Sequence, residues 1–399
     1  MDDRMTRASG PRRISILGST GSVGKSTLEL LSQYPESFHV EALSANRSVN
    51  HLAHQARATS AAFAAIGDPR LYADLKEALA GTHTEVAAGP EALVEAAARD
   101  SDWVMAAIVG AAGLPATLEA VRRGAIVALA NKESLVCAGK LLVEAARMSG
   151  ATLLPVDSEH NAIFQVFAAD QVAEIEEIVL TASGGPFRNW SSAEMEAAKP
   201  EQALAHPNWL MGAKITIDSA TMMNKGLELI EAVHLFDLPD TKVSVVIHPQ
   251  SIVHGLVRYS DGSLLAQMGN PDMRTPIAHA LAWPDRMRSD VYPLNLTEMT
   301  QLTFEQPDEV RFPALRLARD SLRQGGGASI VFNAANEVAV EAFLERRLRF
   351  TAIAQLVARV LDGYRPVEPS SFESVLEIDQ EARMRARAEL SVEQGVEAR

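Results

Sequence analysis

The chain has 399 residues, more than one hydrophobic core usually organises, so two or three domains are expected. Hydrophobic residues make up 47% and charged residues 22%, which excludes a disordered or fibrous chain. Lys and Arg total 37 against 51 Asp and Glu, a net charge of −14. That charge argues against general nucleic-acid or anionic-membrane binding, and any phosphate must be held by a local cluster.

The single cysteine, Cys137, can form neither an intrachain disulfide nor a Cys-rich metal site, and it fits a reducing compartment. No apolar run reaches membrane-spanning length. The polar segment from Met1 to Arg13 has no apolar signal core and reads as a frayed tail. A bacterial cytoplasmic protein is the simplest reading.

Strand-like and helical runs alternate over residues 1–157: strand Ile14–Gly18, helix Val23–Gln33, strand Phe38–Ala45, then strands Trp103–Val109, Ala125–Ala130 and Leu153–Asp157. This predicts an α/β domain, a Rossmann-like parallel sheet with helices on both faces. Residues 158–288 read as an α+β domain, with helix Glu159–Ala168, strand Glu177–Thr181, an irregular stretch to about Gly212, helix Thr221–Phe236, and strands Val243–His248, Ile252–Tyr259 and Ser263–Met268. Pro293 and Pro307 punctuate a linker over 289–312. Helical runs Asn333–Arg346, Thr351–Leu361 and Phe372–Leu390 predict a C-terminal helical bundle over 313–399.

Gly18-Ser19-Thr20-Gly21-Ser22-Val23-Gly24 joins the first strand to the first helix. Such glycines permit a tight turn and close backbone approach, and the helix N-terminus presents free N–H groups to a pyrophosphate. Gly24-Lys25-Ser26 imitates the end of a nucleoside-triphosphate loop, but that motif needs glycine where Ser19 stands. The second strand ends in Ala45-Asn46-Arg47-Ser48, with no acid for a ribose 2′-hydroxyl and with Arg47 able to pair a 2′-phosphate. NADPH is therefore expected over NADH, although Arg47 also reads as a solvated surface charge.

Asp157-Ser158-Glu159 stands where a strand runs into a helix, the end of the strand at which open α/β sheets place ligands. Two oxygen anions invite a hard divalent cation. Taken alone, the tripeptide reads more simply as a helix start, with Ser158 as N-cap and its acids favourable to the dipole. In Asp218-Ser219-Ala220-Thr221-Met222-Met223-Asn224-Lys225-Gly226-Leu227-Glu228, residues Asn224, Lys225 and Glu228 share one helical face with Ser219 near the helix start. Ser, Asn and Lys suit a phosphate and Glu a metal, while a solvated face with an intrahelical Lys225–Glu228 pair is the plainer alternative. Asn131-Lys132-Glu133 follows a strand and can reach both a nicotinamide and a substrate, or simply start a helix. His206-Pro207-Asn208-Trp209 lies in the irregular stretch and is a candidate lid. His248 and His254 lie in strand-like runs and read as core or edge residues.

Together these blocks resemble the 1-deoxy-D-xylulose 5-phosphate reductoisomerase family over nearly the whole chain, through Gly18–Gly24, Ala130–Ser134, Pro155–Asn161, Thr181–Phe187, His206–Gly212, Ile217–Glu231 and His248–Ala278. The resemblance implies conversion of 1-deoxy-D-xylulose 5-phosphate to 2-C-methyl-D-erythritol 4-phosphate in non-mevalonate isoprenoid biosynthesis, by retro-aldol cleavage, rejoining and hydride transfer. It implies an NADPH-binding domain (1–157), a catalytic metal and substrate domain (158–288) and a homodimer. It further implies NADPH, a divalent cation (Mg²⁺, Mn²⁺ or Co²⁺) and inhibition by fosmidomycin. Carried over residue by residue, the metal ligands are Asp157, Glu159 and Glu228. Substrate contacts fall on Lys132, Ser158, Glu159, Ser183, His206, Trp209, Ser219, Asn224, Lys225 and Glu228, of which Lys132, Glu159 and Glu228 act in catalysis. Cofactor contacts fall on Gly18, Thr20, Gly21, Ser22 and Val23, on Asn46, Arg47 and Ser48, and on Asn131, Glu133 and Gly212. Family members often carry Gly-Lys-Asn where this chain has Asn46-Arg47-Ser48.

Two rivals differ in class. An aldehyde dehydrogenase of the aspartate-semialdehyde type needs a cysteine nucleophile, for which Cys137 is the one candidate. An NADPH-sensing module leaves Asp157, Glu159 and Glu228 without a role.

Overall fold

The computed structural model describes residues 10–209 and 211–397; residues 1–9 of the tail expected over Met1–Arg13, and Leu210, lie outside the described residues, while Arg12 and Arg13 of that expected tail pair in the first strand. The first elements are β1 (Arg12–Leu17), α1 (Ser22–Ser32), β2 (Phe38–Ala45), α2 (Val49–Thr59), β3 (Phe63–Ile66), α3 (Tyr72–Ala78), β4 (Glu85–Ala88) and α4 (Pro90–Ala98). Then come β5 (Trp103–Ala106), α5 (Leu114–Arg122), β6 (Ile126–Leu129), α6 (Glu133–Ser149), β7 (Thr152–Pro155) and α7 (Ser158–Val166). The seven strands form one parallel sheet, ordered β4-β3-β2-β1-β5-β6-β7. Its central strands are buried on both faces, as the apolar run Trp103–Ala106 and the run Ile14–Leu17, with Ser15 its one polar residue, require. The order reverses between β1 and β5, which sets the glycine turn after β1 at the switch point where such sheets bind ligands. The strand expected to reach Val109 stops at Ala106: the Asn131 amide takes the carbonyls of Ile108 and Gly110, and Gly110 turns at φ 78°.

The chain continues through β8 (Ile175–Ala182), α8 (Ser192–Glu196), α9 (Pro200–Ala203), α10 (Ala213–Ala220), α11 (Met223–Leu235), β9 (Val243–Ile247), β10 (Val253–Tyr259), β11 (Leu264–Met268) and α12 (Arg274–Ala282). The second sheet is mixed, in the order β11-β10-β8-β9, with β8–β9 parallel and the other pairs antiparallel. The stretch expected to be irregular up to Gly212 holds the short helices α8 and α9. The helix expected over Thr221–Phe236 is α11, which begins at Met223; an unexpected helix, α10, precedes it and ends at Ala220, with Met222 at φ 63° between them. Ser219 therefore sits at the end of one helix rather than near the start of the next.

Four helices close the chain: α13 (Ala314–Gln324), α14 (Ala328–Leu344), α15 (Ala352–Asp362) and α16 (Phe372–Glu397). α14 is the apolar centre, with Ile330, Val331, Phe332, Val338 and Phe343 all buried, and it packs against α13, α15 and α16.

The chain divides into two compact units. The first holds the parallel sheet and also residues 272–292, although the sequence suggests grouping those with the middle of the chain. The reason is burial: Trp103, fully enclosed, donates its indole N–H to the Ala280 carbonyl at 3.0 Å on α12. The second holds the mixed sheet, the helical bundle and residues 135–141.

Candidate active site

In the first unit the glycine turn is built for close approach. A Cβ on Gly18, at φ 86°, would meet the Ala107 carbonyl oxygen at 2.6 Å, and one on Gly24 would meet Ser19 Cα at 2.5 Å. Gly21 caps α1 without a side chain, and the first turn holds no acid, so the helix N-terminus offers N–H groups and positive potential to an anion. Arg47 follows the end of β2 and is 67% exposed; its Nε donates to Asp68 at 3.1 Å.

β6 and β7 deliver the acidic cluster. Lys132, 5% exposed, pairs through Nζ with Asp157 Oδ2. Asp157 caps α7, its carbonyl accepting from the Asn161 N–H at 2.8 Å and its Oδ1 from the Ser158 N–H at 3.1 Å. Ser158 Oγ donates to Glu159 Oε2 at 2.5 Å. The fully buried His160 ring lies 3.9 Å from Asp157 Oδ2. Asn131 spends its side chain internally, donating to the Ile108 and Gly110 carbonyls and accepting from the Ser134 N–H and hydroxyl. Glu133 opens α6 and is buried.

The second unit assembles the other set. Ser183 follows β8. His206 Nδ1 accepts from the N–H groups of Asn208 (3.2 Å) and Trp209 (3.0 Å), so its proton is on Nε2, which donates to Ser183 Oγ at 3.0 Å. Ser183 Oγ also accepts from the Gly185 N–H at 3.2 Å. With both lone pairs engaged, the Ser183 hydroxyl keeps its hydrogen for an incoming acceptor. Asn208 ties this segment to the β9–β10 connection through the Pro249 carbonyl and Ser251 Oγ, and the Trp209 ring lies 6.3 Å from that of His254. Gly212 caps α10. On α11, Asn224 Nδ2 donates to Glu228 Oε1 and Lys225 Nζ to Glu228 Oε2, each at 2.5 Å, with Glu228 fully buried.

Each unit thus gathers its own share of the expected residues. The motif reading missed Lys214, Asp218 and Asn336, a buried polar group beside Ser219. A buried acid is not recognisable from one sequence without knowing what packs on it. Cys137 is buried inside α6, where Asn333 Nδ2 points at its sulfur at 3.6 Å, an environment unsuited to an exposed thiolate nucleophile. His248 and His254 are buried and bonded to main-chain carbonyls, as core residues.

A parallel sheet with its glycine turn at the strand-order reversal is the architecture of a Rossmann-type dinucleotide-binding domain. Residues 14–139 match the family described as 1-deoxy-D-xylulose 5-phosphate reductoisomerase, residues 153–236 its C-terminal domain, and residues 268–385 the DXP reductoisomerase C-terminal domain. The 1-deoxy-D-xylulose 5-phosphate reductoisomerase of Zymomonas mobilis is 57% identical over 380 residues, 95% of this chain and 98% of that protein. That of Rhodospirillum centenum is also 57% identical, over 95% of this chain and 94% of that one. The solved Zymomonas mobilis enzyme in complex with NADPH superposes with a TM-score of 0.90 at 56% identity, covering 95% of this chain and 99% of that one. A DOX-P reductoisomerase in complex with NADPH, fosmidomycin and magnesium gives 0.91 at 45% identity, covering 96% and 98%. The chain belongs to the 1-deoxy-D-xylulose 5-phosphate reductoisomerase family.

Proposed function

We propose that this chain converts 1-deoxy-D-xylulose 5-phosphate to 2-C-methyl-D-erythritol 4-phosphate with NADPH and a divalent cation, supplying isoprenoid precursors. The observation that carries the reading is family membership along 95% of the chain. The donor chemistry fits a hard cation: Asp157, Glu159 and Glu228 are oxygen donors, and two of them are already partnered by an ammonium. Asp157, Glu159 and Glu228 are the proposed ligands. When bound, the cation supplies Lewis-acid stabilisation of negative charge on the substrate's adjacent oxygens.

The chain's own groups do the rest. Lys132 holds a positive charge against oxygen during C3–C4 cleavage and rejoining. Ser183, Ser219, Asn224 and Lys225 grip the phosphate, which lies away from the bonds that change, so its binding orients the reacting carbons. His206 fixes the Ser183 hydroxyl, and the Trp209 segment excludes water. Gly18, Thr20, Gly21, Ser22 and Val23 seat the pyrophosphate of NADPH, which supplies the hydride. Asn46, Arg47 and Ser48 take the adenosine end, with Arg47 on the 2′-phosphate. Asn131, Glu133 and Gly212 are the remaining proposed cofactor contacts; the Asn131 side-chain amide and its main-chain N–H are committed within the first unit.

Fosmidomycin is expected to compete at the substrate site. A homodimer is supported by β11, an edge strand with Leu264 and Leu265 almost half exposed. No helix of the described residues is long and apolar enough to cross a membrane; a cytoplasmic location is our reading from the one buried cysteine.

The test is loss of nicotinamide absorbance with 1-deoxy-D-xylulose 5-phosphate, with and without chelator. Substrate-dependent oxidation that stops on chelation is expected, and oxidation indifferent to chelator overturns the metal assignment.

A further inference from the structure

Asp218 is 1% exposed and stands in the last turn of α10. A carboxylate there is disfavoured twice, by burial and by the negative end of the helix dipole. Two groups offset this. Lys214 Nζ, one turn earlier, lies 2.9 Å from Asp218 Oδ2. Asn336 on α14, fully buried, donates through Nδ2 to Oδ1 at 2.8 Å.

The next residue is Ser219, and the turn beyond it is pinned at every point. Thr221 Oγ1 donates to the Ile217 carbonyl at 3.0 Å and accepts from the Met223 N–H at 3.3 Å. The loop after β8 packs on it so closely that a Cβ on Gly185 would meet the Ser219 carbonyl oxygen at 2.9 Å and Ala220 Cα at 3.0 Å. Buried Met222 holds φ 63°, a conformation that persists only where the surroundings over-determine it. A strained, over-determined turn beside a buried ion pair is more than a helix end requires.

We infer that Asp218, held by Asn336 and Lys214, is a positioning residue that aims the Ser219 hydroxyl at the substrate phosphate, so that the C-terminal helical bundle sets the geometry of the phosphate pocket. The inference rests on the phosphate reading of Ser219 given above.

Steady-state kinetics on the full-length enzyme test it. Asp218→Asn should raise KM for the sugar phosphate about tenfold, lower kcat less than about threefold and leave KM for NADPH unchanged. Asn336→Ala should do the same to a smaller extent. A purely structural role would lower the thermal midpoint and the active fraction without moving KM. The decisive measurement is a double-mutant cycle: in a Ser219→Ala background, Asp218→Asn should raise KM no further. Additive effects, or unchanged KM in Asp218→Asn, overturn the inference and leave the phosphate reading standing. Unchanged KM in Ser219→Ala overturns the phosphate reading and the inference with it. Should Asp218→Asn fail to fold, Asn336→Ala and its cycle with Ser219→Ala decide by the same criteria.

Discussion

The two units hold their functional groups by different means. In the first, Lys132 and Asp157 stand just past the ends of β6 and β7, strands paired to each other residue by residue. The ladder, continued by the Ala130 and Asn131 N–H bonds to the Ala106 carbonyl and the Val156 N–H bond to the Leu129 carbonyl, sets where those side chains begin. In the second, Ser219 lies in the last turn of α10, while Asn224 and Lys225 open α11 and Glu228 follows one turn on. A helix end is placed only by what packs on it, and here that work falls to Gly185, Met222 and Asn336. Strand-end groups come with the fold; helix-end groups need separate, costlier support, and substitutions should spread further there.

The largest expected effect contrasts Glu228 with its surroundings. Glu228→Gln keeps the side chain's shape but removes the charge that faces buried Lys225 and the proposed cation. Turnover should fall on the order of 10³-fold, with far-UV circular dichroism unchanged. Wild-type turnover at limiting magnesium would remove Glu228 from the ligand set. Next in size is Lys132→Met in the first unit, on the order of 10²-fold in turnover, because the oxyanion partner is lost while Asp157 keeps its other contacts. Should Lys132→Met lower the thermal midpoint more than Glu228→Gln does, the view that strand-end sites are the more self-supporting fails.

The same contrast explains what could be read without a structure. The glycine turn, Lys132 and Asp157–Glu159 were legible because a strand followed by a turn residue is a local signal and the strand's end dictates position. The face shared by Asn224, Lys225 and Glu228 was legible from helical spacing. The break at Met222 was not, since a left-handed methionine carries no mark in the sequence. Strands β3 and β4, four residues each, are too short for their period to stand out. Asn336 lies more than a hundred residues from Asp218, and no spacing rule connects them. Asn131 stands out in the sequence as a candidate site residue, but its internal hydrogen bonds are visible only with Ile108 and Gly110 in place.

A smaller effect should mark the cofactor end of the first unit. The Arg47 side chain is exposed, with its Nε donating to Asp68. Arg47→Leu should weaken NADPH binding about tenfold and leave NADH binding unchanged, read by fluorescence titration of both. Equal losses for the two cofactors would mean that Arg47 shapes the turn rather than the 2′-phosphate site.

The smallest effect compares one largely buried histidine from each unit. His279 accepts at Nδ1 from the Asn161 amide in the first unit, and burial, aided by Arg286, pushes its pKa down to about 4. His234 packs on Gly139 in the second, where a Cβ would meet its ring at 2.3 Å, and burial, aided by Lys140, pushes it down to about 4 as well. Both rings are neutral when folded, whereas the unfolded chain protonates them below about 6.5. Between 6.5 and about 4 the unfolded state therefore binds more protons, and stability falls as pH is lowered through that window, with no contribution from these rings above it. For His234 the full drop is worth at most about 3 kcal/mol, and the partial exposure of His279 makes its share smaller. Urea unfolding from pH 7 to 4 should show this decline, and His234→Asn should flatten it more than His279→Asn. A larger flattening from His279→Asn would reverse the ranking of the two units, because it would mean that the first unit encloses its histidine more completely than the second.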